Sequence, residues 1–189
     1  MKEINFYKYN RIFGIIAGLF SFVIFSLTVE PTASYWDCAE YISTSAKLQI
    51  GHPPGAPLFQ MLGAIFSILA FDVTQIAYAV NMMSVTSSAL TIMFLFWSIS
   101  LIAKEILKVK EIVKVSEAIK IFGSSFLGSI TFTFTDSFWY NAVEAEVYAM
   151  ATLILALLFW LGLKWVCLLY TSDAADEGLG VDLGGRRII

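Results

Sequence analysis

Long apolar blocks separated by polar segments dominate the pattern of this chain. Four of them cover residues 12–29, 78–103, 121–139 and 147–166. Each has at least about 17 residues, the lower limit for a helix that crosses the hydrocarbon core of a membrane. The pattern therefore predicts an all-α, polytopic membrane protein with four spans, contained in residues 1–166.

Composition agrees with a membrane location and narrows the function classes. The 189 residues are 58% hydrophobic and only 14% charged, whereas soluble domains are typically about 25% charged. The formal net charge of −3 is small, so we expect no nucleic-acid partner. Two cysteines are too few for a disulfide framework.

Positive charges predict the orientation of the chain. Lysine or arginine precedes the first block at residues 2, 8 and 11, and five lysines lie within residues 104–120. The positive-inside rule places both segments in the cytoplasm, with the lysines against anionic lipid heads. We therefore expect an inner or cytoplasmic membrane protein in which residues 30–77 form an external loop. A cleaved signal peptide is the alternative for the first block, although Pro31 would spoil its cleavage site.

The external loop contains the densest polar sequence. Residues 37–50 predict an amphipathic helix on the membrane surface, with Asp37, Glu40, Thr44 and Lys47 on one face. The glycines and prolines of residues 51–55 end this helix, because proline blocks helical continuation. The apolar stretch 56–71 is short, and the predicted topology makes it a second interfacial helix that does not cross the membrane.

Asp37 and Glu40 are the leading candidates for catalysis. Three residues apart, they face the same way on a helix, and either carboxylate could act as a general base. The alternative is a solvated helix face, or a helix N-terminus where Asp37 offsets the helix dipole. His52 suits a hydrogen bond to phosphate or carbohydrate, the alternative being an exposed turn residue. No residues show metal-site spacing, so no metal is assigned; a divalent ion stays open as a cofactor.

A second acidic pair precedes the last block. Glu144 and Glu146 lie at the same predicted external face as Asp37. Because residues two apart do not share a helix face, we expect one glutamate to face the site and the other to face water.

Small and hydroxyl residues recur at helical spacing in two of the blocks. The two stripes are Asn81, Ser84, Ser88 and Thr91, and Ser124, Gly128, Thr131 and Thr135. Such stripes usually allow helices to pack closely; direct substrate binding is the alternative.

The end of the chain differs sharply from the rest. Residues 167–177, CLLYTSDAADE, and 181–189, VDLGGRRII, resemble translated adapter sequence from transposase-based DNA library preparation. We therefore predict that residues 167–189 are an adapter-derived tail, and that residues 1–166 are the N-terminal part of a longer protein. A genuine disordered tail is the alternative.

Several short motifs together resemble one family of membrane proteins. They are WDCAE at 36–40, GHPPGAPL at 51–58, VN at 80–81, FW at 138–139 and EAEVY at 144–148. The family is known as domain of unknown function 2723 and is similar to protein O-mannosyltransferases. The resemblance covers about residues 10–166, and Ala39 departs from the glycine that is often found there.

This resemblance implies a glycosyltransferase of the GT-C superfamily. Its donor would be a polyprenyl-phosphate sugar, with mannose expected, and its acceptor a protein hydroxyl at the extracytoplasmic face. Asp37 takes the role of base, with Glu40 as the second candidate. His52 and Lys47 are candidates to stabilise the phosphate leaving group, and Glu144 and Glu146 to bind substrate.

Two further expectations follow from the sequence. Later spans of such an enzyme would complete the donor pocket, so residues 1–166 alone should be inactive. The alternative function is that of a non-enzymatic membrane protein, either a transporter subunit or a lipid-binding scaffold.

Overall fold

A computed structural model describes residues 3–185, with side chains described for residues 3–166. Within this range the chain is mostly helical. In order, the elements are β1 Glu3–Asn5, α1 Phe6–Thr28, α2 Cys38–Lys47, α3 Pro57–Ile68, a 3-10 helix Val73–Gln75, α4 Ile76–Ile106, β2 Ile112–Lys114, α5 Val115–Thr133, α6 Asp136–Val143 and α7 Val147–Gly185. The predicted tail, residues 167–189, lies outside the residues whose side chains are described.

Three helical segments of the described range are long and apolar enough to cross a membrane. They are Phe6–Thr28, Val73–Ile106 and Val147–Val166, and they confirm an all-α membrane protein. The predicted span 121–139 is instead divided between α5 and α6, because the backbone leaves the helical conformation at Phe134 and is extended at Thr135. A fourth crossing stays a prediction.

The two short strands join the N-terminus to the lysine-bearing connector. β1 pairs with β2 in antiparallel register, with Glu3 opposite Lys114 and Asn5 opposite Ile112. The Asn5 side chain donates a hydrogen bond to the Glu111 carboxylate at 2.8 Å. The chain start and residues 104–120 therefore lie at one end of the helix bundle, as their shared positive charge predicts.

Helix α4 forms the centre of the bundle and packs against α1, α5 and α7. Its buried side chains Val85, Ile92 and Phe96 join Phe25 of α1 and Ile121 of α5 in one apolar core. The predicted polar stripe of α4 is also buried, as close helix packing requires. Its members are Asn81, Ser84, Ser88 and Thr91.

The stripe predicted on α5 is wrong by one position. The exposed residues are Ser124, Gly128, Thr131 and Thr135, and the buried hydroxyls are Ser125, Ser129 and Thr133. The Thr133 hydroxyl lies 3.0 Å from that of Ser21 in α1, within hydrogen-bond distance. Ile121 begins this row at a spacing of four residues, and its burial in the core turns the row inward.

At the opposite end of the bundle, the start of the loop is fastened to α4 and α6. The Asn81 side chain donates hydrogen bonds to the backbone carbonyls of Glu30, at 2.6 Å, and Thr32, at 2.9 Å. The Cys38 thiol lies 3.8 Å from the Asn81 side-chain oxygen and donates to it. The Glu30 backbone N–H donates to the Val143 carbonyl at 3.0 Å. The loop and the junction between α6 and α7 therefore share one end of the bundle.

Helices α2 and α3 pack against each other and against α4. A Cβ atom added to Gly63 would lie 2.5 Å from the Ser45 hydroxyl, so this close approach requires glycine. With 12 residues, α3 is about 18 Å long, too short to cross a core of about 30 Å. The position of both helices at the membrane interface stays a prediction.

The predicted faces of α2 are partly wrong. Thr44, predicted on the polar face with Asp37 and Glu40, is buried, and the helix ends at Lys47, three residues before the predicted end. The reason is that Tyr41 packs on Phe59 of α3, with ring centroids 5.2 Å apart. This contact, rather than the charge pattern, fixes the rotation of α2.

We predict that Asn81→Ala destabilises the protein, because it removes the donors of two part-buried carbonyls, those of Glu30 and Thr32. The expected loss is about 1–3 kcal/mol of unfolding free energy. Ser84→Ala is the matched control, since the buried Ser84 hydroxyl has no hydrogen-bond partner in the described chain. Its removal should be neutral or slightly stabilising in the same unfolding measurement. Equal losses for the two variants would contradict this view of the loop attachment.

Candidate active site

A tight turn after α2 brings His52 back to the first turn of the same helix. Leu48 ends α2 in a left-handed conformation with φ 49°, and its N–H bonds back to the helix. The turn is closed by a hydrogen bond from the Gly55 N–H to the His52 carbonyl at 2.8 Å. Gly55 has φ 74°, a backbone conformation that strongly favours glycine. The glycine-rich sequence after α2 therefore sets the place of His52.

Glu40 holds His52 at two points. One carboxylate oxygen accepts a hydrogen bond from the His52 backbone N–H at 2.6 Å, and the other lies 3.0 Å from His52 Nδ1. A Cβ atom on Gly51 would come within 3.3 Å of the Glu40 carboxylate and 2.7 Å of the Gln60 amide. Glycine at position 51 therefore permits the contact, and both Glu40 oxygens are engaged.

Asp37 lies on the other side of the imidazole and is the less constrained carboxylate. Its Oδ2 is 3.7 Å from His52 Nε2, and its side chain is 55% exposed. Although Asp37 occupies the N-cap position of α2, its side chain makes no capping hydrogen bond. The carboxylate therefore remains open to a ligand or to solvent.

These contacts shift two pKa values in opposite directions. Hydrogen bonds from the His52 backbone and ring lower the pKa of Glu40. The hydrogen bond to Glu40 and then its charge raise the pKa of His52, with smaller contributions from Asp37 and Glu146. Protonated His52 stabilises the folded state. This stabilisation is complete below pH 6.5, the ordinary pKa, and is lost as the pH rises through the raised pKa of the folded state. Ionised Glu40 also stabilises the folded state. This stabilisation is complete above pH 4.5, the ordinary pKa, and is lost as the pH falls through the lowered pKa of the folded state.

The second acidic pair lies at a break between helices. Glu144 has an extended backbone between α6 and α7, so the helix-face argument for this pair does not apply. Glu144 is half-buried and accepts a hydrogen bond from the Ser34 hydroxyl. Glu146 is only 8% exposed. Desolvation first, then the charges of Glu144 and Asp37, raise the pKa of Glu146 to about 7.

Tyr41 is a neighbour of this cluster that the sequence analysis missed. Its ring centroid lies 6.0 Å from that of His52. Burial, and then the charges of Glu146, Asp37 and Glu40, raise its pKa. The spacing of four residues from Asp37 is the sequence signal that points to it.

Lys47 is not part of the cluster. It lies exposed in the last turn of α2, about 15 Å along the helix from Asp37. Its side chain makes no ion pair or hydrogen bond to any described residue. The predicted grouping of Lys47 with His52 is therefore not seen.

Three side chains of the cluster are placed to hold a cation. Asp37, Glu40 and His52 each offer an oxygen or nitrogen atom, and these atoms lie within 4.8 Å of one another. Residues 37, 40 and 52 have no recognised metal-site spacing, because the turn alone brings His52 to the helix. Sequence spacing therefore gave no sign of this arrangement.

Comparison with known proteins gives the family. A family model described as the protein O-mannosyl-transferase TMEM260 N-terminal domain matches residues 37–175, more than half of the chain. The chain belongs to this family. The match begins at Asp37 and includes Glu40, His52, Glu144 and Glu146, and it confirms the resemblance to protein O-mannosyltransferases.

Two curated relatives of this TMEM260 family extend the comparison. The chain is 27% identical to "Protein O-mannosyl-transferase tmem260" of Dictyostelium discoideum, over 74% of the chain and 15% of the relative. It is 25% identical to "Protein O-mannosyl-transferase TMEM260" of Mus musculus, over 75% of the chain and 18% of the relative. The chain thus spans less than a fifth of each relative. No solved structure gave a significant match.

We predict that NMR titration of His52 gives a pKa above 6.5, because Glu40 stabilises the imidazolium. The assignment is direct, since the chain has one histidine. In Glu40→Gln the pKa should fall toward 6.5, the ordinary value. Asp72→Asn, which removes another carboxylate of the loop, should leave it unchanged. An unchanged His52 pKa in Glu40→Gln would contradict the described contact.

Proposed function

We propose that the full-length protein to which this chain belongs transfers a sugar, expected to be mannose, from a polyprenyl-phosphate donor to a protein hydroxyl. The reaction takes place at the extracytoplasmic face of an inner or cytoplasmic membrane, with the chain start in the cytoplasm. The family match and the names of both relatives support a sugar transfer to protein. The observation that carries the proposal is the open Asp37 carboxylate beside His52.

Asp37 acts as the general base. It accepts the proton of the acceptor hydroxyl while that oxygen attacks the anomeric carbon of the sugar. The bond from this carbon to the phosphate oxygen breaks, and its electron pair leaves with the lipid phosphate. Asp37 suits this role better than Glu40, because both Glu40 oxygens already accept hydrogen bonds from His52.

His52 stabilises the negative charge on the leaving phosphate. Its raised pKa favours the protonated ring, and a fixed positive charge lowers the energy of a developing anion. Glu40 is a positioning residue that holds the ring in place. Lys47 is left outside the reacting group, because it lies at the far end of α2.

The acidic pair before α7 lines the substrate side of the site. Glu146 is buried close enough to Asp37 and His52 for their charges to affect its pKa. A buried carboxyl group of this kind suits hydrogen bonding to sugar hydroxyls. Glu144 supports the site through its hydrogen bond with Ser34.

The distribution of ionisable groups argues against a transporter. A transporter places such groups near the bilayer midplane, often on broken helices. Among the described residues, Glu146 is the only buried side chain that carries a formal charge, and it lies at the end of the bundle. A lipid-binding scaffold would not require an open carboxylate beside a held histidine.

A transfer assay with the full-length protein tests this proposal. With polyprenyl-phosphate mannose and a protein acceptor rich in serine and threonine, Asp37→Asn should lower the rate about 10²–10⁴-fold, the usual contribution of a general base. Asp72→Asn removes a carboxylate from the same loop, outside the cluster, and should keep full activity. Full activity in Asp37→Asn at equal expression would rule out the base; no transfer by the wild-type protein would rule out the reaction.

A further inference from the structure

Trp36 has a strained backbone directly before Asp37, the proposed base. Its φ is 61°, in the left-handed region that bulky side chains rarely adopt. Such a conformation is costly and persists only where the surrounding structure imposes it, and in proteins it is concentrated at active sites and ligand contacts. The outlier therefore makes Trp36 a candidate for a functional role.

The chain is fastened on both sides of Trp36. Before it, the Ser34 hydroxyl donates a hydrogen bond to the Glu144 carboxylate. After it, the Cys38 thiol donates to the side-chain oxygen of Asn81. The left-handed backbone is therefore held by contacts in which the indole ring takes no part.

The strain does not serve to bury the ring. Trp36 is 90% exposed and Tyr35 is 87% exposed, and neither packs against the two apolar clusters of residues 3–166. Consecutive side chains of an extended chain point in opposite directions, whereas here both rings are exposed. Tryptophan and tyrosine offer a large contact area with little conformational entropy to lose on binding. The pair therefore has the properties of a contact surface for a ligand.

The position beside Asp37 indicates which ligand the pair contacts. The Cα atoms of Trp36 and Asp37 are about 3.8 Å apart, which is also the spacing of neighbouring residues in an acceptor chain. When the hydroxyl of one acceptor residue reaches Asp37, a flanking residue lies within reach of Trp36. We propose that Tyr35 and Trp36 form a platform for the acceptor polypeptide, on which the residues that flank the modified serine or threonine pack. This role rests on the proposed function, in which Asp37 accepts the proton of that hydroxyl.

A membrane anchor is the other common use of exposed tryptophan and tyrosine in a membrane protein. An anchor needs only a position at the level of the lipid headgroups, which an unstrained backbone provides equally well. Exposed apolar side chains that suit a membrane surface lie on one face of α3, at Leu58, Met61 and Ile65. Tyr35 and Trp36 instead lie beside a carboxylate that is 55% exposed, and a charged group is costly in an apolar membrane. These features favour the polypeptide.

Peptide binding to the full-length protein in detergent tests the platform. The probe is a fluorescent peptide in which apolar residues flank serine and threonine, and no sugar donor is added. Fluorescence anisotropy should show that Trp36→Ala weakens binding at least about tenfold, because a central aromatic contact is lost. Trp36→Phe keeps an aromatic ring and should bind within about threefold of the wild type. Phe71→Ala removes a fully exposed ring of the same loop and should bind like the wild type.

Trp36→Gly separates the ring from the strain. Glycine adopts a positive φ without steric cost, so this variant should be at least as stable as Trp36→Ala in thermal unfolding. It should nevertheless bind the peptide as weakly as Trp36→Ala, because both lack the ring. In the transfer assay both variants should raise the KM for the acceptor and leave kcat and the KM for the donor within about twofold of the wild type. If Trp36→Ala fails to fold, Trp36→Gly decides the question.

Wild-type peptide affinity in Trp36→Ala would overturn the platform, and so would a wild-type protein that does not bind the peptide. Weaker binding of Trp36→Ala to lipid vesicles, with unchanged peptide affinity, would also overturn it and assign the ring to the membrane. Because peptide binding is measured without a donor, the proposed function fails separately. Sugar transfer that is unaffected by Trp36→Ala contradicts only the platform, and peptide binding that requires Trp36 without any transfer contradicts only the reaction.

Discussion

The buried amide of Asn81 is the interaction on which the rest of the site depends. The first loop enters the site end of the bundle as extended chain, whose carbonyls have no partners of their own in a helix or a sheet. Asn81 supplies donors to two of them and accepts from the Cys38 thiol. An unpaired buried polar group costs about 1–3 kcal/mol, so the buried Asn81 side chain keeps these partners. Cys38 is the first residue of α2, and its contact with Asn81 therefore fixes where α2 begins. Asp37, the residue before Cys38, takes its place from the same attachment.

The different environments of the Asp37 and Glu40 carboxylates follow from that placement. With α2 fixed, Gly51 leaves room for the contact with Glu40, and Gly55 adopts the φ of 74° with which the chain turns back. The backbone N–H and one ring nitrogen of His52 then contact Glu40, and the other ring nitrogen faces Asp37. One carboxylate is held and the other is open. That asymmetry underlies the proposed base.

Features that depend on local pattern could be predicted from the sequence. The apolar blocks located α1, α4 and α7, and the lysines of the connector correctly placed it with the chain start. Features that depend on packing could not. The rotation of α2 is set by Tyr41 on Phe59, and the inward row of α5 by the burial of Ile121. The Glu40–His52 contact spans 12 residues through a turn, which no helical or strand period describes.

The arrangement on which the site depends is the meeting of residues 30–77 with the junction before α7 at one end of the bundle, opposite the connector. Single cysteines at the exposed positions Ser43, Ser137 and Ser116 test it with a membrane-impermeant maleimide, the parent protein giving the background. Ser43→Cys and Ser137→Cys should react from the same side of the membrane, and Ser116→Cys only from the other. Reaction of Ser43→Cys and Ser137→Cys from opposite sides would contradict the account.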